Sequence, residues 1–381
     1  MAVIGGGLAG LSTAYHLAKS GCCGVVVIER EKKIGAHASG NNAGMIRQTV
    51  SDPVLANLAA EGRNKLSRLG GPTWKDLAFR SNGSILLAQE KDQGDLKKIH
   101  GAGLKNRIIC RELDKKEISK VVPELERANF DKALFCPTDA LVDVGALLQG
   151  LRRELKTLGV RIFLGHPLTS IHRTREGFIL SAGNQNLTAE KIVNAAGAWV
   201  GEVAKQAGAS LIPLKPYLRH LYESKGFGLN SEIQKWPFVW DLSRGLYFRP
   251  VKKELLLSPC DKRAVSLGHP FEKKEIQFED LRARKALSRK LKSFSPYFNS
   301  LKLGKKKIGL RTMAPDGRFV IGEDPKLRNF FWVAGLGGHG VTTSFSVGRL
   351  AADLVLGKKN SRFSRWASPK RFFKDKHASK S

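Results

Sequence analysis

Six residues near the N-terminus, Gly5-Gly6-Gly7-Leu8-Ala9-Gly10, fit the spacing G-x-G-x-x-G. Each glycine at this spacing has its own physical task. Gly5 permits a tight turn, Gly7 lets the backbone approach a pyrophosphate, and Gly10 allows close packing of a helix on a strand. A helix beginning at Leu8 and Ala9 would turn its unpaired N–H groups and partial positive charge towards the phosphates. Glu29 follows Gly10 by 19 residues and is succeeded by Arg30. A carboxylate there accepts hydrogen bonds from ribose hydroxyls, and its charge disfavours a 2′-phosphate. The chemistry these residues suit is dinucleotide binding.

The surrounding elements place them correctly. Met1 to Ile4 is an apolar run ending at the glycines and reads as a buried strand. Leu8 to Ser20 has apolar residues at helical spacing and stops at Gly21, and Val25 to Ile28 is a second β-branched run. Val54–Leu69 and Val144–Leu158 read as further helices, the latter followed at once by strand 160–163. Lys191 to Val193 reads as a strand. Leu218–Tyr222, Leu246–Phe248 and Leu255–Leu257 are short alternating stretches that suggest an antiparallel sheet. Phe278–Leu291 reads as a basic helix, Phe331–Ala334 as a strand, and Val341–Leu356 as a helix.

Three more segments distinguish FAD from NAD. Gly35-Ala36-His37-Ala38-Ser39-Gly40-Asn41-Asn42-Ala43-Gly44 is small and polar, as needed where backbone passes close to a cofactor. Asn194-Ala195-Ala196-Gly197-Ala198-Trp199 and Gly335-Leu336-Gly337-Gly338-His339-Gly340-Val341-Thr342 each lie between a strand and a helix. Junctions so far apart in sequence suit one long cofactor held at several points.

With these motifs the chain resembles the D-amino-acid oxidase superfamily of FAD enzymes, which includes glycine oxidases, sarcosine oxidases and D-amino-acid dehydrogenases. The resemblance runs from Val3 to about Phe372 and also rests on Gly309-Leu310-Arg311-Thr312 and Pro315-Asp316-Gly317. It implies an α/β fold, with a discontinuous Rossmann-like FAD-binding domain of the glutathione-reductase type and an α+β substrate domain whose antiparallel sheet roofs the flavin. The implied boundaries are 1–77, 140–210 and 305–365 for the FAD-binding domain, 78–139 and 211–304 for the substrate domain, and 366–381 for a basic tail.

Residue by residue, the resemblance implies that Gly5, Gly7, Leu8, Ala9, Gly10, Glu29 and Arg30 hold the ADP half. Ser39, Asn42, Ala43 and Gly44 would pass near flavin and pyrophosphate, with Ala196, Gly197 and Trp199 at the cofactor as well. Gly337, Gly338, His339, Gly340, Val341 and Thr342 would bring a helix N-terminus to the flavin. Arg311 and Tyr247 would hold the substrate carboxylate, with Arg219 or His220 as a second active-site group and His339 a candidate for taking the amine proton. The implied reaction is hydride transfer from the Cα of a D-amino acid or similar amine-bearing acid to flavin N5, giving an imine that hydrolyses to a 2-oxo acid and ammonia. In sarcosine-oxidase relatives a cysteine near the Arg311 region attaches FAD covalently. None lies there in sequence, so non-covalent FAD is expected. Ser81-Asn82-Gly83-Ser84 lacks the acid that selects a cationic substrate in D-arginine-selective relatives.

Composition bounds the rest. The 381 residues hold 65 Lys or Arg and 34 Asp or Glu, a net charge of +31, and 42% hydrophobic residues, enough to exclude a disordered polycation. No apolar run approaches the ~18 residues of a spanning helix. The cysteines, Cys22, Cys23, Cys110, Cys136 and Cys260, form no CxxC and no metal-ligand spacing, so no metal is expected. No leader segment is recognisable. These features favour a cytoplasmic protein with oxygen or a quinone as electron acceptor. The basic clusters, Lys252-Lys253, Lys273-Lys274, Arg282 to Lys292, Lys305-Lys306-Lys307 and the aromatic-bearing tail, leave two partners open: an anionic membrane on its inner face, and tRNA. Two alternatives follow: an FAD-dependent oxidase of a glycine-like tRNA modification, and a non-catalytic flavoprotein with a basic binding face.

Overall fold

The computed structural model describes residues 1–226, 231–267, 273–358 and 361–373, with the side chains of 231, 273–278 and 361–362 outside the description. Lys273 and Lys274 of the basic clusters, and 374–381 of the tail, therefore lie outside the described side chains or residues.

Two sheets organise the chain. The first has six strands in the order Val320–Glu323, Phe330–Ala334, Ile192–Asn194, Ala2–Ile4, Val26–Glu29 and Arg161–Leu164. All neighbours are parallel except the first pair. Its strands are nearly continuous apolar runs because both faces are covered. Helices Leu8–Lys19, Pro53–Leu66, Val144–Thr157 and Ser344–Val355 bury one face. The antiparallel meander Leu168–Arg173, Phe178–Ala182 and Gln185–Ala189, together with helix Val200–Ala207, covers the other. Helices Leu8–Lys19 and Ser344–Val355 lie so close that a Cβ on Gly348 would sit 2.6 Å from the Ser12 carbonyl carbon.

The second sheet has nine strands and is mostly antiparallel. Its longest pair, Lys215–Lys225 with Lys302–Met313, forms a ribbon that packs on the segment of Ala38 and Asn41. One face of the sheet is apolar and carries helix Lys273–Phe294, which buries Ala283, Leu287, Leu291 and Phe294 against Tyr222, Phe248 and Leu257. Arg282, Lys285, Arg289 and Lys292 of that helix are exposed. The other face looks towards the first sheet and holds Leu221, Tyr247 and Leu256 over Ala43.

Two expected boundaries differ from this arrangement. Residue 305 falls inside strand Lys302–Met313, so the strand that carries Arg311 belongs to the second sheet. Phe363, Trp366 and Ala367 are buried in the core of the first sheet, so packed chain continues past 365. Trp366 meets Phe319 edge-on and donates its indole N–H to Asp52 at 3.0 Å. Those two aromatics are thus unavailable to a membrane. Helix Ser344–Val355 begins about one turn after the expected Val341; residues 341–343 form a turn in which the Thr343 N–H and hydroxyl both bond the His339 carbonyl. Among the described residues, no helix is long and apolar enough to cross a membrane.

Candidate functional site

The glycine loop has the geometry that its spacing demands. Gly5 adopts φ +113°, and a Cβ there would lie 2.4 Å from the Ala195 carbonyl oxygen. A Cβ on Gly10 would lie 2.0 Å from the Gly5 carbonyl oxygen, so no larger residue lets the helix approach its strand. Gly7 is the N-cap of helix Leu8–Lys19, and no side chain caps it. In its first turn the Leu8 N–H is met by a side chain, the Ser39 hydroxyl at 3.0 Å. Glu29 is buried, and its two oxygens accept the Gly6 N–H at 2.6 Å and the Glu31 N–H at 2.8 Å. The carboxylate is thereby aimed before any ligand arrives, with lone pairs left for ribose.

One elongated cleft begins here and is bordered by Gly5, Gly7, Leu8, Ala9, Glu29 and Arg30 at one end. Ser39, Asn42, Ala196, Gly197 and Trp199 border its middle, and Gly337, Gly338, Gly340, Val341, Arg219 and Arg311 its far end. Trp199 has the Arg30 guanidinium 3.9 Å from its ring centroid and the His37 ring at 4.5 Å on the same side chain. Glu31 lies 2.9 Å from both of those side chains, the His37 Nε2 and the Arg30 Nε, and these contacts hold its carboxyl below the usual carboxylate range. Asn42 braces the loop, donating to the Ser39 carbonyl and accepting the Gly44 N–H, each at 2.6 Å. Gly10, Ala43, Gly44, His339 and Thr342 lie behind the cleft wall. Ala43 packs under the roof, and the Thr342 hydroxyl accepts the Arg47 N–H at 2.9 Å.

The substrate end is built by strand alternation. Arg219 pairs with Gly309 and Tyr217 pairs with Arg311, so Arg219 and Arg311 project from one face of the ribbon. That face presses on the cofactor loop: a Cβ on Gly309 would lie 2.7 Å from the Asn41 carbonyl oxygen. Arg311 lies against the turn that follows strand Phe330–Ala334, where a Cβ on Gly338 would be 3.1 Å from its Nη1. Burial, with Arg219 nearby, lowers the Arg311 pKa. Tyr247 is fully buried and its hydroxyl has no partner, and the Nδ1 of His339 is likewise buried and unpartnered. Burial, then Arg47 and Arg311, hold the His339 imidazole well below its usual pKa, so it is neutral.

His220 does not join this group. It lies on the opposite face of its strand, stacked 6.1 Å from Tyr222, with its Nδ1 at 2.7 Å from Asp261 Oδ2 and its N–H donated to Asp261 Oδ1. Arg47, by contrast, is a member that the sequence did not reveal. Its guanidinium covers the Trp240 ring at 4.1 Å, and burial pushes its pKa down to about 10. The next residues, Gln48 and Thr49, are pinned by the buried Asp139, which also accepts from Ser84. The only signal for Arg47 was a lone cation directly after an apolar pair, Met45-Ile46. Cys260, remote from Arg311 in sequence, lies beside Arg219 in space, and burial raises its thiol pKa. Among the described residues, no cluster of three or more His, Cys, Asp or Glu could hold a metal.

The cleft fits FAD on these observations: an uncapped helix N-terminus and an oriented carboxylate at one end, and a roofed, cation-lined chamber at the other. Comparison with known proteins agrees. Residues 1–354 match the DAO family, described as FAD dependent oxidoreductase. Glycine oxidase of Bacillus licheniformis is 26% identical over 93% of this chain and 92% of that protein. Mitochondrial dimethylglycine dehydrogenase of Rattus norvegicus is 26% identical over 93% of this chain, which spans only 42% of the dehydrogenase. The glycine oxidase structure from Geobacillus kaustophilus superposes with a TM-score of 0.79 at 22% identity, covering 94% of this chain and 95% of the other.

Proposed function

This chain belongs to the DAO family of FAD-dependent oxidoreductases, and we propose that it oxidises the Cα–N bond of a small amine-bearing carboxylic acid, with a D-amino acid or an N-substituted glycine as the substrate class. The relatives named glycine oxidase and dimethylglycine dehydrogenase support an amine donor. The observation that carries the reading is Arg311 at the far end of the cofactor cleft, with the buried, unpartnered Tyr247 hydroxyl close enough to act on its charge.

The Arg311 guanidinium offers a planar fork that matches a carboxylate, and the Tyr247 hydroxyl donates to the same group. Together they fix the position of Cα. Bound FAD supplies the hydride acceptor and the anchor for the ADP-binding loop. The roof residues Leu221, Tyr247 and Leu256 exclude water above the reacting carbon. His339, held neutral by its surroundings, adds no positive charge at this end of the cleft, where oxidation requires the amine to be neutral. Gly5, Gly7, Gly10, Glu29 and Ser39 hold the adenosine and pyrophosphate, and Gly337, Gly338 and Gly340 give the flavin edge backbone contact. The electron acceptor is oxygen or a quinone.

The test is anaerobic mixing of the FAD-loaded protein with glycine, sarcosine, dimethylglycine and a panel of D-amino acids while the flavin absorbance is followed. Bleaching by a member of this set supports the reading. Absence of bleaching by all of them, with salt-sensitive binding of tRNA, replaces it by an oxidase of a nucleic-acid-borne glycine unit.

A further inference from the structure

The chamber holds more positive charge than one carboxylate neutralises. Arg311 is accompanied on the same strand face by Arg219, which is 6% exposed and borders the same cleft. The Nε and Nη1 of Arg219 are buried and have no hydrogen-bond partner, and the residue between the two arginines on that face is Gly309, which screens nothing. Arg47 lies close enough to Arg311 for the two charges to act on each other.

Among the described residues no carboxylate forms an ion pair with Arg219. Asp261 is close enough to act on its charge, but the hydrogen bonds of that carboxylate go to His220 and not to the guanidinium. Cys260 lies beside the guanidinium, yet burial keeps its thiol protonated. Lys290, also close, adds positive charge and spends its ammonium on the carbonyls of Gly245 and Pro259. Neither Arg219, Arg311 nor Arg47 forms an ion pair among the described residues. An unpaired buried cation is strongly unfavourable, and so are two of the same sign in one cavity. A substrate with a hydrocarbon side chain would bind Arg311 and leave Arg219 as it is.

We propose that Arg219 receives a second anionic group of the substrate, so that this enzyme selects amines bearing two acidic functions, such as an amino dicarboxylate. The inference rests on the amine-oxidation reading for the role of Arg311, and adds the chemical class of the side chain.

The test uses the FAD-loaded protein and ligands that cannot be oxidised. Succinate and butyrate, then malonate and propionate, are titrated by calorimetry into the wild type and into Arg219→Met, which keeps the length of the stem. The diacid of each pair is expected to bind about tenfold more tightly or better, the scale of a buried charge pair. In Arg219→Met that preference disappears while the monoacid affinity stays within about threefold. Equal affinities in the wild type, or a diacid preference that survives the substitution, overturn the second anion site whatever the flavin assay gives. A diacid preference lost in Arg219→Met, with no bleaching by any amine-bearing acid, leaves the second anion site standing and overturns the amine-oxidation reading instead.

Discussion

Arg219 and His220 are adjacent in the chain and face opposite sides of one strand, Arg219 into the cofactor cleft and His220 into the packing behind it. The two should therefore fail in different ways. His220→Leu leaves the partly buried Asp261 with the backbone N–H of residue 220 but without the imidazole, and is expected to cost about 1–3 kcal/mol of stability, while flavin reduction at saturating substrate changes less than about threefold. Arg219→Met is expected to weaken the binding of diacids, not of monoacids, without lowering the melting temperature, since it removes a cation that forms no ion pair. Thermal melts and anaerobic reduction of both variants decide this. A His220→Leu protein that melts normally and no longer reduces its flavin would place the histidine in the site after all.

Arg311→Ala is expected to retain FAD and to raise the substrate KM by about two orders of magnitude or more, because a buried charge-assisted contact is lost. Arg311→Lys should recover part of this, since a point charge replaces a planar fork. FAD content by absorbance and KM for the best substrate are the two measurements. Unchanged KM in the alanine variant removes Arg311 from the carboxylate.

What the sequence disclosed was whatever local spacing encodes. Gly5, Gly7, Gly10 and Glu29 sit within one strand–helix–strand unit, and their roles depend on neighbours near in sequence. The alternation of strand Lys215–Lys225 was partly visible, but choosing between Arg219 and His220 needs the pairing register with Lys302–Met313, some 90 residues away. Arg47 stayed hidden because its significance lies in Trp240 and Arg311, contributed by two other segments. The basic tail left its aromatics open between packing and a membrane for a related reason: Trp366 stands in a run of cations, and its partners Phe319 and Asp52 are distant in sequence.

Gly10→Ala tests the cofactor loop. The added methyl meets the Gly5 carbonyl oxygen at 2.0 Å, backbone against backbone, with nothing able to give cheaply. A loss of about 1–3 kcal/mol or more and a protein purified largely without FAD are expected. Gly201→Ala is the control: it lies within helix Val200–Ala207 with open space around it, and should stabilise by about 0.5–1 kcal/mol. FAD content and melting temperature of the pair separate cofactor geometry from general sensitivity of glycines. Normal FAD content in Gly10→Ala would contradict the close-packing role.

Stability should fall on mild acidification, through His16. Burial, then the cations Lys65 and Arg349, lower its pKa to about 4. Its Nε2 has no partner, and its ring meets Tyr15 and Phe345 edge-on. The folded pKa lies below the unfolded value of 6.5, so the unfolded state takes up the proton first. The contribution is fully present above about pH 6.5 and is lost as the pH falls towards 4, by at most about 3 kcal/mol. His339, also depressed, acts in the same direction. His16→Phe should flatten the melting temperature across this window while leaving it similar at pH 8. An equally steep dependence in the variant would assign the acid sensitivity to other groups.

Asp52 joins two ends of the chain through one carboxylate. Its Oδ1 caps helix Pro53–Leu66 by accepting the Val54 and Leu55 N–H groups at 2.8 and 3.0 Å, and its Oδ2 accepts the indole N–H of Trp366 at 3.0 Å. The two contacts are separable. Asp52→Asn keeps a capping oxygen but turns an amide donor on the indole, so it should lose only the Trp366 bond, about 1 kcal/mol. Asp52→Ala loses both, about 2 kcal/mol. Trp366→Ala opens a cavity beside Phe319 and should cost about 3–5 kcal/mol. Melting temperatures in that order are expected. If Trp366→Ala melts like the wild type and instead releases the protein from anionic vesicles, the tail serves a membrane and its packing on the first sheet contributes little.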